Sequence, residues 1–461
     1  MSLSADELDL IKALHKKLEQ HDSKNHELEH YYEGKQRLKD FRISIPPQLS
    51  SVESVVGWAG TAVDILEERC DFEGWMGADT LGLMDIYRAN DLDVESGLGH
   101  KDAFIYGTGF IVVGKGRDGE ADPLITIESP KRMTSVYDLR LRRSTAALSV
   151  NRDDRGKPVS GTLYLPDQTV SLEFSNNQWF DVDRDVHNLG RLPVIAQPNN
   201  PRSGDPRGRS EITPAVRSYT DAAMRTLLGA EVAREFYSAP QRYVLGADED
   251  LFTDSDGNAL NPWTVYQGRI LGVPANQDGN TPQVGQFPAN DTRPYFDQVK
   301  AYAQMLAAET AIPPSYLGFQ TDNPASADAI RQMEARLVKR AERRQRQFGR
   351  AWTEVAKLSL LVRDGSIPAE AADIRPLWRD PSTPTRAAAA DEAVKLISAG
   401  VLLPDSEVTY NRIGLSDTDK QVLRSEKATG EATALITNIL TSQPAQTAPA
   451  QTQVDQQTQV Q

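Results

Sequence analysis

Apolar residues recur at helical spacing near the start of the chain. Leu8, Ile11, Leu14 and Leu18 stand three or four positions apart among charged residues, which predicts one or two amphipathic helices over residues 1–40. Ile43-Ser44-Ile45-Pro46-Pro47 breaks the pattern, because proline removes a backbone donor and clashes with the preceding turn. Helical patterning returns over Ser54–Arg69 and Ala89–Tyr106. At Phe110-Ile111-Val112-Val113 the composition changes to that of a strand. From about 110 to 198 the chain reads as a compact antiparallel β module. Its expected strands are Leu124–Glu128, Ala146–Asn151, Gly161–Leu165, Thr169–Phe174 and Trp179–Val182, set off by the turn residues Asp153–Gly156, Pro166-Asp167 and Ser175–Asn177.

A loop rich in Pro, Gly and Arg, Gln197–Arg209, then leads to Ser210. This residue reads as an N-cap with Glu211 behind it to complement the helix dipole. The helix that comes next carries Ile212, Val216, Tyr219, Ala223, Leu227 and Val232 and stops near Ser238-Ala239-Pro240, a length of about 40 Å. Residues 240–291 alternate short strand-like runs (Gln241–Leu245, Thr264–Leu271, Gln283–Phe287) with turn residues and form a small insert. A second helix, marked by Tyr295, Val299, Tyr302 and Leu306, ends at Ile312-Pro313-Pro314. The loop Ser315–Ala325 comes after it. Ser326 then caps the longest helix, Ser326–Val362, about 55 Å by helical rise. Residues 364–440 read as a smaller helical region with Ala388–Ala399 as its clearest helix. The tail Thr441–Gln461 is Gln, Thr, Ala and Pro with few large apolar residues, too few to order itself by burial.

Composition narrows the classes. The 461 residues suit about three domains. The formal charge is 51 − 65 = −14, which disfavours general affinity for phosphate. The single Cys70 cannot form an intrachain disulfide. No apolar run reaches the roughly 18 residues of a membrane span, and the N-terminal stretch is amphipathic and acidic, without a signal-peptide core.

Enzyme motifs mostly fail. The Gly-Lys pairs at 34–35, 114–115 and 156–157 are followed by Gln36, Gly116 and Pro158, not by the Ser or Thr that a phosphate loop needs for magnesium. The chain has no G-x-S-x-G nucleophile elbow. Gly107-Thr108-Gly109 and Gly114-Lys115-Gly116 do not extend to a dinucleotide fingerprint. Aligning Gly257 to the turn glycine of a calcium loop puts Phe252 and Trp263 at ligand positions, so Asp254–Asn258 reads as a turn. One motif matches fully. His26-Glu27-Leu28-Glu29-His30 is H-E-x-x-H, which on a helix can bind zinc through two imidazoles with the glutamate as general base. Its surroundings, His21–Asn25, are polar, the extended-motif positions hold Glu33 and Gln36, and a third ligand would have to be a downstream acid such as Glu53. A solvated helix face is the simpler reading, and a zinc metallopeptidase the alternative.

The long helix carries a basic run, Arg331, Arg336, Lys339, Arg340, Arg343, Arg344, Arg346 and Arg350. Within it Arg336, Arg340 and Arg344 stand at i, i+4 and i+8. Like charges so placed repel, so an acidic surface, which a neighbouring subunit can supply, or DNA should face them, unless the run is simply a solvated face.

The order helix, small insert, helix, proline-broken loop, long helix resembles the portal proteins of tailed bacteriophages, of the siphophage head-to-tail connector type. The local phrases that carry the resemblance are Tyr31-Tyr32-Glu33-Gly34, Asp102–Gly109, Gly190–Val194, Gly208–Ile212 and, most of all, Ala308–Gly318. Together they span about residues 25–420. The resemblance implies an α+β portal-like fold. In it residues 1–209 and a long kinked helix (326–363) form a wing, 210–237 and 292–312 the two stem helices, 238–291 a small α/β clip, 313–325 a channel loop and 364–440 a helical crown, with 441–461 a disordered tail. It implies no enzyme and no cofactor, but a homo-oligomeric ring, usually of twelve copies, at one vertex of the virion capsid, assembled in the host cytoplasm. Double-stranded DNA would pass through the ring during packaging and ejection. The terminase large subunit, the major capsid and scaffold proteins and the head-completion or adaptor proteins would be partners, without a membrane. After the break at Pro313 and Pro314, the loop residues Gly318, Phe319, Gln320, Thr321, Asp322 and Asn323 would project into the channel and touch DNA, with Phe319 as an aromatic tip; in the plainer reading Phe319 tucks into a neighbour and the loop merely connects.

Overall fold

The computed structural model describes residues 3–37, 54–77, 81–237, 242–246, 281–286, 291–319, 327–382, 386–415 and 419–429. The chain divides into two compact units, Met1–Ser382 and Thr383–Gln461.

The first unit opens with α1 (Ala5–Tyr32), started by a capping box in which Ser4 and Glu7 each accept the other's backbone N–H. Then come α2 (Trp58–Glu67), β1 (Phe72–Met76), α3 (Leu83–Ala89) and α4 (Leu92–Tyr106). The helix expected over Ala89–Tyr106 is α4, which ends where expected but starts three residues later, and the separate short helix α3 precedes it, parted from it at Asn90-Asp91. There the Asn90 side chain is drawn off to the carbonyl of Pro123 and the amide of Ile125.

Eight strands come next: β2 (Thr108–Gly114), β3 (Leu124–Glu128), β4 (Met133–Asp138), β5 (Arg143–Arg152), β6 (Pro158–Tyr164), β7 (Thr169–Ser175), β8 (Gln178–Asp185) and β9 (Val194–Pro198). They form two antiparallel sheets rather than one module, β3-β2-β9 and the meander β4-β5-β6-β7-β8. The meander alternates. Leu148, Val150, Leu163, Val170, Leu172 and Trp179 point to one face, where Ile11, Leu14 and Leu18 of α1 cover them. On the smaller sheet, α4 lies close enough that a side chain on Gly109 would stand 2.8 Å from the Gly99 carbonyl.

After the sheets are α5 (Pro214–Tyr237), the antiparallel strands β10 (Arg242–Leu245) and β11 (Gln283–Gln286), and α6 (Arg293–Thr310). The 38-residue α7 (Ala327–Asp364) runs without interruption and is about 57 Å long. After it β12 (Arg375–Trp378) pairs back onto β1. Helix α7 is the spine of the main core. Leu337, Ala341, Phe348, Trp352, Val355 and Ala356 are buried along it, spaced as a helix stripe requires. Phe72 stacks on Trp352 at 4.4 Å, and His100 lies flat on Phe348 at 4.9 Å while accepting a hydrogen bond from Trp352 Nε1 at 3.0 Å. Full burial pushes the His100 imidazole down to about 3, so it sits in the core as a neutral acceptor.

In the second unit, α8 (Arg386–Ser398) and α9 (Glu407–Ile413) precede a helical stretch at 419–429. The calcium-like turn at 254–258, the strand-like run 264–271 and the tail 441–461 lie outside the described residues.

Candidate functional site

The two helices flanking the insert and the long helix meet at one junction. Its first element is the start of α5. Ser210 is not the cap expected there. The helix begins at Pro214, and Thr213 caps it, its hydroxyl accepting from the Val216 amide at 3.3 Å and its carbonyl from the Arg217 amide at 3.0 Å. Proline suits that first turn, where its missing N–H costs nothing. Glu211 is released from any dipole role and lies buried, 3% exposed, with its amide bonded to the Phe104 carbonyl at 2.8 Å.

The arginine stripe of α7 converges on this carboxylate. Arg344, itself buried, reaches Glu211 Oε1 through Nη2 at 2.7 Å and Nε at 2.8 Å. Arg340 Nη2 binds Oε2, and Asn199 Nδ2 donates to Oε1 at 3.0 Å. Burial pushes the Glu211 carboxyl up, but Arg340 and Arg344 outweigh it and hold it below the usual range. The other ends of the stripe serve α6. Arg340 Nη1 donates to the Thr310 carbonyl, and Arg336 Nη1 donates to that of Ala308 at 3.0 Å. These are last-turn carbonyls without helical partners, where cations are favourable. The acid facing Arg340 and Arg344 is therefore in the same chain.

A glycine makes the junction possible. Gly208 has φ +85°, and a side chain there would fall 2.3 Å from the Asn199 carbonyl and 2.4 Å from that of Gly107. Beside the junction lies an open cleft of about 1010 Å³ whose wall includes Lys24, Arg209, Arg217, Lys339 and Arg343. Of these, Arg217 pairs with Glu27 at 2.7 Å and Lys339 with Glu342 at 2.9 Å.

The helix α6 ends at Thr310, and the chain leaves it through Ala311 in the left-handed conformation, φ 59°, ahead of Pro313-Pro314, through which a helix could not continue. The segment after this break is only partly loop, since Pro314–Leu317 makes a turn of 3₁₀ helix that Gly318 closes at φ +86°. Tyr316 binds Glu334, and its hydroxyl lies 3.2 Å from Arg69 Nη2, which reaches Glu334 at 3.4 Å. Phe319 packs against the cluster of Val56, Ala223, Met224 and Val299. The side chain expected at an aromatic tip thus anchors the base of the segment. Gln320, Thr321, Asp322 and Asn323 lie outside the described residues.

The H-E-x-x-H residues sit on α1 with other partners. Glu27 holds Arg217, Glu29 holds Lys131 at 2.7 Å, and His26 lies 3.6 Å from Glu29. The two imidazole centroids are 6.3 Å apart, and among the described residues no group of three His, Cys, Asp or Glu is placed to hold a metal. Glu53 lies outside them. The junction's central residue, Glu211, escaped the sequence as a partner of the arginines because an acid beside a helix start reads as a dipole charge. Only its burial distinguishes it.

A family model described as "Phage portal protein, SPP1 Gp6-like" matches residues 12–432. The portal protein of Mycobacterium phage D29 is 35% identical over 409 residues, 86% of this chain and 83% of that protein. That of Mycobacterium phage L5 is 34% identical over the same shares. Among solved structures, a chain in "Virion of native gene transfer agent (GTA) particle" aligns with 78% of this chain and 89% of its own at 15% identity and a TM-score of 0.42. A chain in "Neck of empty GTA particle computed with C6 symmetry" covers 80% and 92% at 13% identity and a TM-score of 0.42. The chain belongs to the phage portal protein family.

Proposed function

We propose that this portal protein forms a homo-oligomeric ring, of twelve copies, at one capsid vertex of the virion. Double-stranded DNA enters the head through it during packaging and leaves during ejection. On this reading α5 and α6 are the stem helices around the channel, residues 238–291 the clip facing out of the head, residues 1–209 with α7 the wing, and residues 364–440 the crown facing in. The clip presents the surface for the terminase large subunit and, after packaging, for the head-completion or adaptor proteins. The wing meets the major capsid and scaffold proteins.

The observation that carries the reading is the packed pair α5 and α6 in a chain of this family. Two helices joined by a small insert leave Phe296 and Met305 of α6 more than 45% exposed, and neighbouring copies around a ring would cover such positions. The Glu211 junction then ties both stem helices to the wing helix beside the segment that enters the channel, and Gln320–Asn323 touch passing DNA. That contact is weak and sequence-independent, since the segment holds no Lys or Arg. An acidic chain suits a conduit, because like charge prevents counterion-release binding from holding the duplex. Negative-stain electron microscopy of the purified full chain tests the ring. Closed rings with a central hole are expected, and a monomer at every concentration would overturn the proposal.

A further inference from the structure

The five-stranded meander is electrically lopsided. At one edge, the hairpin joining β4 to β5 carries Leu139, Arg140, Leu141, Arg142 and Arg143, all exposed. It is a fixed feature. Asp138 accepts the amides of Arg140 and Leu141 at 2.8 Å, and Arg350 of α7 donates to the Arg142 carbonyl at 2.9 Å. Among the described residues, Arg140, Arg142 and Arg143 make no ion pair with a carboxylate. At the other edge, β8 and its neighbour β7 present Glu173, Phe180, Val182, Asp183 and Asp185, also exposed. The register pairs Phe180 with Glu173, Asp183 with Ser171 and Asp185 with Thr169. That places the acids and Phe180 on the face turned away from α1. Here too, Glu173, Asp183 and Asp185 make no ion pair with a lysine or arginine among the described residues, and the charge that Asp185 meets is that of His187, whose imidazole burial holds below its usual range.

These edges lie four strand spacings apart, about 19 Å, and cannot meet within one chain. Each also excludes itself, since β8 against a second β8 would set aspartates against aspartates and hairpin against hairpin would set arginines together. Strand addition along β4 is hindered because Lys17 Nζ binds the Ser135 carbonyl. The compatible contact is basic hairpin to acidic edge, with Leu139 and Leu141 meeting Phe180 and Val182. It is a head-to-tail contact, of the kind that closes into a ring, and it covers the exposed Phe180 and Val182.

We infer that neighbouring copies of this chain dock through these two edges, the β4–β5 hairpin of one against β7 and β8 of the next. The inference rests on the ring reading above and names the surface that makes it. The test uses the full chain and two double variants, Arg142→Glu with Arg143→Glu, and Asp183→Arg with Asp185→Arg, sized by native mass spectrometry. Each variant alone should need at least about tenfold more protein to assemble than the unaltered chain. Mixed in equal amounts they should regain rings, with the two variants alternating, because every contact in the mixture is again between opposite charges. Either variant assembling like the unaltered chain would overturn the inference while leaving the ring intact. So would a mixture that stays apart although both variants keep the unaltered circular dichroism and unfolding midpoint. Should a reversal fail to fold, the neutral pair Arg142→Gln with Arg143→Gln decides: rings that dissolve at lower salt support the contact, and an unchanged salt curve overturns it. An unaltered chain that never assembles would sink the ring reading, and this inference with it.

Discussion

Glu211 shows how a single side chain organises three helices. One carboxylate is shared by Arg340, Arg344 and Asn199 in a buried setting. Removing its charge strands Arg344, and breaking such a buried pair costs about 3–5 kcal/mol. Glu211→Gln should therefore lower the unfolding free energy of the first unit clearly in denaturant titration, and a value within about 0.5 kcal/mol of the original, the usual range of surface changes, would contradict the junction. The pH dependence has a definite sign. The folded carboxyl sits below its unfolded value, so the pair's stabilisation is complete above the ordinary glutamate range, near about 4.3. It is lost as pH falls through the lowered folded value. A fall in stability starting below that range is expected, and it should be smaller in Glu211→Gln, where the part left comes from other lowered carboxyls such as Glu7, held down to about 2 by Arg184. The histidines of the H-E-x-x-H motif carry the opposite expectation. His26→Ala with His30→Ala should leave stability within about 0.5 kcal/mol, as for surface changes. Stoichiometric zinc in the purified chain that disappears in the double variant would contradict this. The arginine stripe was legible at this scale because it is periodic. Its carboxylate was not, because the contact joins α7 to a residue far away in sequence.

At the scale of elements, strong periodicity carried over well. Leu124–Glu128 is a strand over the expected residues, and the longest helix differs from its expected span by one or two positions. Strands that alternate weakly did not stand out. The run Arg375–Trp378 holds a proline and is only four residues long, and its partner β1 lies near the other end of the unit, so no local pattern marks either. The start of α5 was misplaced because Ser210 and Thr213 both suit a cap and only the backbone path chooses between them. The segment after Pro314 was legible as a helix break but not as a packed turn. Phe319, for which the sequence left both a tip and a packed anchor open, is half-buried against apolar neighbours of its own chain. That division sets the prediction. Phe319→Ala should loosen the base and destabilise the unit by about 3 kcal/mol or less, the low end for a buried aromatic, since this one is only half-buried. Replacing Gln320–Asn323 with Gly-Ser residues should leave stability and assembly unchanged and lower the yield of packaged DNA. Normal packaging by such rings would remove the segment from the channel reading.

For the whole molecule, the net charge of −14 conceals a segregation along the chain, with cations gathered in α7 and the β4–β5 hairpin while acids outnumber them elsewhere. Apolar residues are segregated too, and the tail takes almost none of them. From Thr441 to Gln461 the only aliphatic residues larger than alanine are Val454 and Val460. Burying two valines returns about 2 kcal/mol each at best, against about 1–2 kcal/mol of backbone entropy for every residue ordered. The tail therefore cannot hold an interface by its own packing, and the family match already ends at residue 432. Deleting 441–461 should leave ring formation, measured by native mass spectrometry across protein concentrations, indistinguishable from that of the full chain. If the truncated chain stays monomeric where the full chain assembles, the tail must gain its order from a neighbour's surface. The contact between subunits would then extend beyond the two sheet edges.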